Sequence, residues 1–214
     1  MSFLRSLFGG SPHNENTTKP FHANKTLEER KDWFSRTKPW HKVDARVIEA
    51  VASRLDSQPL MFEIFVQRSM DLELVNKYRG LDAGQHDART ICAVIAAWLT
   101  QFGAHFGQQL STATDRGAIG PLVGAAIDVF EVAVVLEPRS VQAYCALAVL
   151  MEQVGKPADA LRYARTGLDA INELRRDNPP FHLSSIESIR NTGQTLAQAE
   201  AALRSAIPHL EARV

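Results

Sequence analysis

The chain has 214 residues, 45% of them hydrophobic, enough for one sizeable domain or two small ones around a core that needs no covalent staples. Its 24 acidic and 24 basic side chains cancel, which excludes a bulk field that would recruit nucleic acid or an anionic membrane from a distance. The two cysteines, Cys92 and Cys145, each lie in an apolar, helix-patterned stretch, so free thiols in a reducing compartment are expected rather than a disulfide framework.

From the N-terminus, Phe3, Leu4, Leu7 and Phe8 form a small apolar face with one basic residue, Arg5, which is too short for a secretory signal. Two turns and one arginine hold lipid only marginally, so no stable membrane insertion is expected there. The longest unbroken apolar run, Ile91 to Leu99, is nine residues, against the ~20 of a spanning helix. On these grounds no transmembrane helix is expected, and the chain is placed in the cytoplasm. The polar, periodless residues up to about Lys25 cannot offset the entropy of ordering, so residues 1–25 read as a flexible tail.

An N-terminal helical region is expected over residues 26–110. Thr26-Leu27-Glu28-Glu29 carries a capping-box pattern that opens a short helix to about Ser35. A second helix is expected from near Asp44, with Val47, Ile48, Val51 and Leu55 on one stripe. Leu60 to Tyr78 has the composition of a buried strand, but Phe62, Phe65, Val66, Met70, Leu74 and Tyr78 keep helical spacing, and helix is preferred. Asp82 and Gln85 offer a cap. Ile91, Val94, Ile95, Trp98, Leu99 and Phe102 then make a helix apolar on nearly every side, the expected core of this half.

Gly103 to Gly120 is polar and glycine-bearing and is expected to be the main internal boundary. Pro121 suits a first helical turn, where its missing amide is harmless, and helices are expected from there to Pro138, from Ser140 to Gly155, and from Pro157 to about Arg176. Beyond Pro180, a seam of three- and four-residue steps runs through Ile186, Ile189, Gly193, Leu196, Glu200, Leu203, Ile207 and Leu210. The fold class expected is all-α, built of antiparallel helical hairpins.

Within residues 121–214, one segment repeats in a recognisable way. Tyr144, Leu147, Ala148, Gly155, Ala160, Leu161, Ala164, Gly167 and Leu168 stand at the spacings of a helical hairpin with small residues at a close crossing. Ala126, Ile127, Phe130, Ala133, Leu136 and Pro138 pattern the helix before it. Over about residues 121–175 this resembles the tetratricopeptide repeat, with no matching first helix ahead of Pro121 and with Asn172 where a closing proline would stand. The resemblance implies a protein-binding adaptor in which first helices line a groove, with Gln142, Cys145, Val149, Glu152 and Gln153 facing the partner, another protein or peptide. These residues do not resemble the lysine and asparagine clamp of some members, so a less charged ligand is implied.

Other constellations have simpler structural roles open to them. His86 with Asp82, Asp87 and His105 hints at metal ligation without the spacing for it, and reads as a solvated helix start. Cys92 lies in the most apolar run and reads as core rather than nucleophile. Gly117 to Gly124 lacks the strand and lysine of a phosphate loop. Trp33, Phe34, Pro39 and Trp40 among Arg30, Lys31, Arg36, Lys38, His41 and Lys42 have the composition of a single-strand stacking surface, yet such rings more often fasten an arm to a core. No catalytic motif, cofactor or nucleic-acid partner is expected. The alternatives kept are a helical bundle holding a small ligand or metal through His86 or His105, a membrane-surface regulator acting through residues 1–8, and a homo-oligomer through the apolar helix faces.

Overall fold

The computed structural model describes residues 25–37, 40–55, 62, 66, 88–112, 116–177 and 196–214. All regular structure among them is helical: α1 (Leu27–Arg36), a single 3-10 turn (Trp40–Lys42), α2 (Ala45–Arg54), α3 (Ala88–Thr112), α4 (Arg116–Leu136), α5 (Val141–Gln153), α6 (Pro157–Asp177) and α7 (Leu196–Glu211). The expected tail, the Asp82 and Gln85 cap, His86, and the seam residues Ile186 to Gly193 lie outside the described residues. Within Leu60 to Tyr78 only Phe62 and Val66 are described, both in helical backbone.

Local chemistry places the first helices where the pattern put them. The Thr26 amide donates to Glu29 Oε2 at 2.7 Å and the Glu29 amide to Thr26 Oγ1 at 3.3 Å, a reciprocal capping box that satisfies orphan donors at the start of α1. Asp44 Oδ1 accepts from the Arg46 amide at 2.7 Å and opens α2 in the same manner. Ser140 occupies the N-cap position of α5 but makes no capping hydrogen bond through its side chain. The end of α5 is a full Schellman stop, with Gly155 at φ +76°, the Lys156 amide donating to the Met151 carbonyl at 2.8 Å and the Gly155 amide to that of Glu152 at 3.0 Å.

The expected boundary at Gly103 to Gly120 is helix on both sides of residues 113–115. Here α3 runs on to Thr112 and α4 already begins at Arg116, so Pro121 sits inside α4 rather than in its first turn. The reason is tertiary. Gly103 leaves room for the Phe130 ring, whose Cζ would stand 2.5 Å from a Cβ added there, and this approach locks α3 and α4 into an antiparallel pair. A helix thus does precede α4, although its sequence carries no repeat signature.

Helix α4 is central, packing on α3, α2 and α5. Its segment Ile119–Leu136, of mean hydropathy 2.0 and 44% buried, is long and apolar enough by length and composition to cross a membrane. Counting unbroken apolar residues passes over it because Gly124, Asp128 and Glu131 interrupt the run. The core helix of a globular fold meets the same measure, and here Glu131 Oε1 accepts from the Tyr163 hydroxyl at 2.8 Å while its Oε2 lies 2.6 Å from Arg54 Nη1, tying α2, α4 and α6 together. Buried side chains from Phe34 in α1 to Leu210 in α7 form one continuous cluster.

Candidate protein-binding face

Helix α5 is hemmed in on most sides. It buries Val141, Ala143, Tyr144, Leu147, Ala148, Leu150 and Met151, and packs on α4, α6 and α7. Tyr144 lies against Tyr163, ring centroids 6.4 Å apart, and a Cβ at Gly167 would approach Tyr144 Cβ to 3.1 Å and Leu203 Cδ1 to 2.9 Å. The small residue in α6 therefore brings three helices to one crossing.

One stripe of α5 is left toward solvent. Gln142, Cys145 and Ala146 are half-buried, Val149 is 55% exposed and Gln153 is exposed, at the three- and four-residue steps of one helical face. Glu152 stands at the edge of this stripe and is already engaged: its Oε1 lies 3.0 Å from His209 Nε2 and 2.6 Å from Arg213 Nη1, both on the C-terminal segment. Of the five residues singled out from the sequence, four share the open face and Glu152 is shared with α7. His209 and Arg213 were not legible as neighbours, because partners so far apart along the chain leave no periodic signal.

Burial pushes the Cys145 thiol up to about 11 from the usual 9.0, so it stays protonated near neutrality and behaves as a small apolar group rather than a nucleophile. Cys92 is buried in α3, and both cysteines are free thiols.

The aromatic part of the constellation near the N-terminus folds inward, while Arg36, His41 and Lys42 are exposed. Phe34 and Trp40 are fully buried, and Trp33, Phe34, Trp40 and Phe62 meet edge to face at centroid distances of 4.9 to 5.7 Å. The rings pack on one another and pin α1 and the 3-10 turn to the core. Lys31 bridges Glu49 at 2.7 Å and Glu28 at 2.9 Å, Arg36 pairs with Asp32, and Arg30 is buried. Lys38 and Pro39 lie outside the described residues.

Among the described residues no group of three or more His, Cys, Asp or Glu side chains converges as a metal site would require. His105 lies within α3, while Asp82, His86 and Asp87 fall outside the described residues. Gly117 to Gly124 is part of α4 and not a loop. Comparisons of the chain with protein-family models, with curated proteins and with solved structures find no match.

Proposed function

We propose that this chain is a non-catalytic protein-interaction module that receives a partner along the open stripe of α5. The observation that carries the reading is Val149, the most exposed large apolar residue among the described side chains of the helices, set in a row that is uncharged apart from Glu152 at its edge. An apolar side chain held in water on an otherwise buried helix is what a partner can desolvate at little cost. The tetratricopeptide-like pattern of about residues 121–175 belongs to the same proposal, with α5 and α6 as one repeat and α4 as the second helix of a preceding one.

The test is retention of a discrete protein on the tagged chain, compared with a Val149→Asp, Gln153→Glu variant shown to be folded by circular dichroism. Both positions are exposed, so the variant should fold normally. The reading expects at least tenfold loss of the retained protein, reproduced with the purified partner in a direct titration. Retention indifferent to the variant removes these residues from the binding face.

A further inference from the structure

We propose, resting on that reading of α5, that α7 is a releasable self-ligand whose docking regulates access to the stripe. Helix α7 runs antiparallel to α6, since Arg175 near the end of α6 pairs with Glu200 near the start of α7, and Arg165 earlier in α6 pairs with Glu211 at 2.7 Å. It is therefore parallel to α5, and its last turn and the residues just after it reach Glu152 through His209 and Arg213.

Two kinds of contact hold it. The apolar seam buries Ala199, Leu203 and Leu210, with Leu203 seated over the bare backbone of Gly167, while Leu196, Ala206 and Ile207 beside it are only partly buried. The polar contacts run along both edges: Arg175 and Arg204 pair with Glu200, Arg165 with Glu211 and Arg213 with Glu152, and His209 Nε2 lies 3.0 Å from the same Glu152 oxygen. The arginines of these pairs are 43 to 63% exposed, where each pair is worth little and is screened by salt. Pro208 lies inside α7 and lacks the amide that would bond the Arg204 carbonyl, so the helix is weakened immediately before the turn that grips Glu152.

The regulation follows from where that grip falls. Glu152 lies two turns beyond Cys145 on the same face of α5, so the segment seated on Glu152 borders the stripe assigned to the partner. Docked, α7 occupies the carboxylate and flanks the row. Released, it leaves Glu152 and the half-buried Cys145 side open together.

The experiment is hydrogen exchange of the full chain, followed by mass spectrometry for the Ala199–Ile207 amides with those of α5 as reference, and combined with iodoacetamide labelling of Cys145 located by peptide mapping. Compared are wild type at about 0.05 and about 0.5 M NaCl, a His209→Ala, Arg213→Ala variant, and a Pro208→Ala variant. Release predicts that high salt and the double variant speed α7 exchange at least about fivefold with α5 unchanged, that Cys145 labelling rises with it, and that Pro208→Ala slows both. Exchange of α7 in step with α5 under every condition overturns release. Faster exchange of α7 with unchanged Cys145 labelling overturns the regulation of access. Neither readout involves a partner, so the binding reading of α5 stands or falls separately on the retention experiment.

Discussion

Glu137 and Arg139 sit in the turn between α4 and α5 with side chains 7% and 8% exposed, Oε1 to Nε 3.2 Å, and the same oxygen accepts the Arg139 amide at 3.0 Å. The carboxylate thereby holds both the guanidinium and the backbone of the turn. Replacing Glu137 by Ala leaves a buried cation without its anion, and urea unfolding should show a loss of about 3 kcal/mol. Ser140, one residue on, is buried with a hydroxyl that has no hydrogen-bond partner, so Ser140→Ala should be neutral or slightly stabilising in the same assay, against the usual sign for an N-cap. A residue-scale prediction also follows from pH. Because burial raises the Cys145 thiol to about 11, the stability it contributes is complete below the ordinary value of 9.0 and is lost as pH rises through the raised one. Alkylation of Cys145 should keep climbing past pH 10, whereas an unburied thiol levels off nearer 9.

Glycines report the elements and how closely they approach. Gly103 and Gly167 lie where a Cβ would collide, the first with the Phe130 ring and the second with Leu203 and the base of Tyr144. Phe130 and Tyr144 are buried, and Tyr144 Cβ is fixed to its own backbone, so Gly103→Ala and Gly167→Ala should each destabilise by about 1–3 kcal/mol despite alanine's better helix propensity. Gly107 and Gly124 are also helical, but nothing stands within 4 Å of a Cβ built there, so Gly107→Ala and Gly124→Ala should stabilise by about 0.5–1 kcal/mol. One substitution type with two signs, read by chemical denaturation, tests the α3–α4 and α5–α6–α7 crossings directly. Gly155 is different again: its surroundings are open but its φ of +76° is one that L side chains rarely adopt, so alanine there strains the backbone of the Schellman stop.

At the scale of the molecule, the continuous cluster of buried side chains predicts one cooperative unit joining both halves. All three tryptophans, Trp33, Trp40 and Trp98, lie before α4, so their fluorescence reports the N-terminal half alone. Ile171→Ala in α6, at a fully buried site, should cost about 2–5 kcal/mol and move the fluorescence midpoint together with the far-UV circular dichroism midpoint. A fluorescence transition that stays in place while the helical signal shifts would mean two independent units.

What the chain declares locally is written in short-range chemistry. Thr26 with Glu29, Asp44, Gly155 and Pro157 start or stop helices through groups within one turn of themselves, and the small residues Ala160, Ala164 and Gly167 already mark a close helix crossing. Composition and periodicity settle the all-α class in the same way. Within α7 the expected seam holds at Leu196, Leu203, Ile207 and Leu210 and departs at one step, where Ala199 is buried and Glu200 turns to the edge to pair with Arg175 and Arg204. A carboxylate and an alanine one residue apart differ by about 100° around the helix, and only the neighbouring basic side chains decide between them. The same holds for Gly103, where the Phe130 ring supplies close packing inside α3, and for Glu152, whose partners His209 and Arg213 come from the last turn of α7 and the residues just after it. Local hydrogen bonds and apolar periodicity act over a few residues and can be read in order along a chain; close approach, ion-pair choice and the covering of a face depend on which helices fold back to meet.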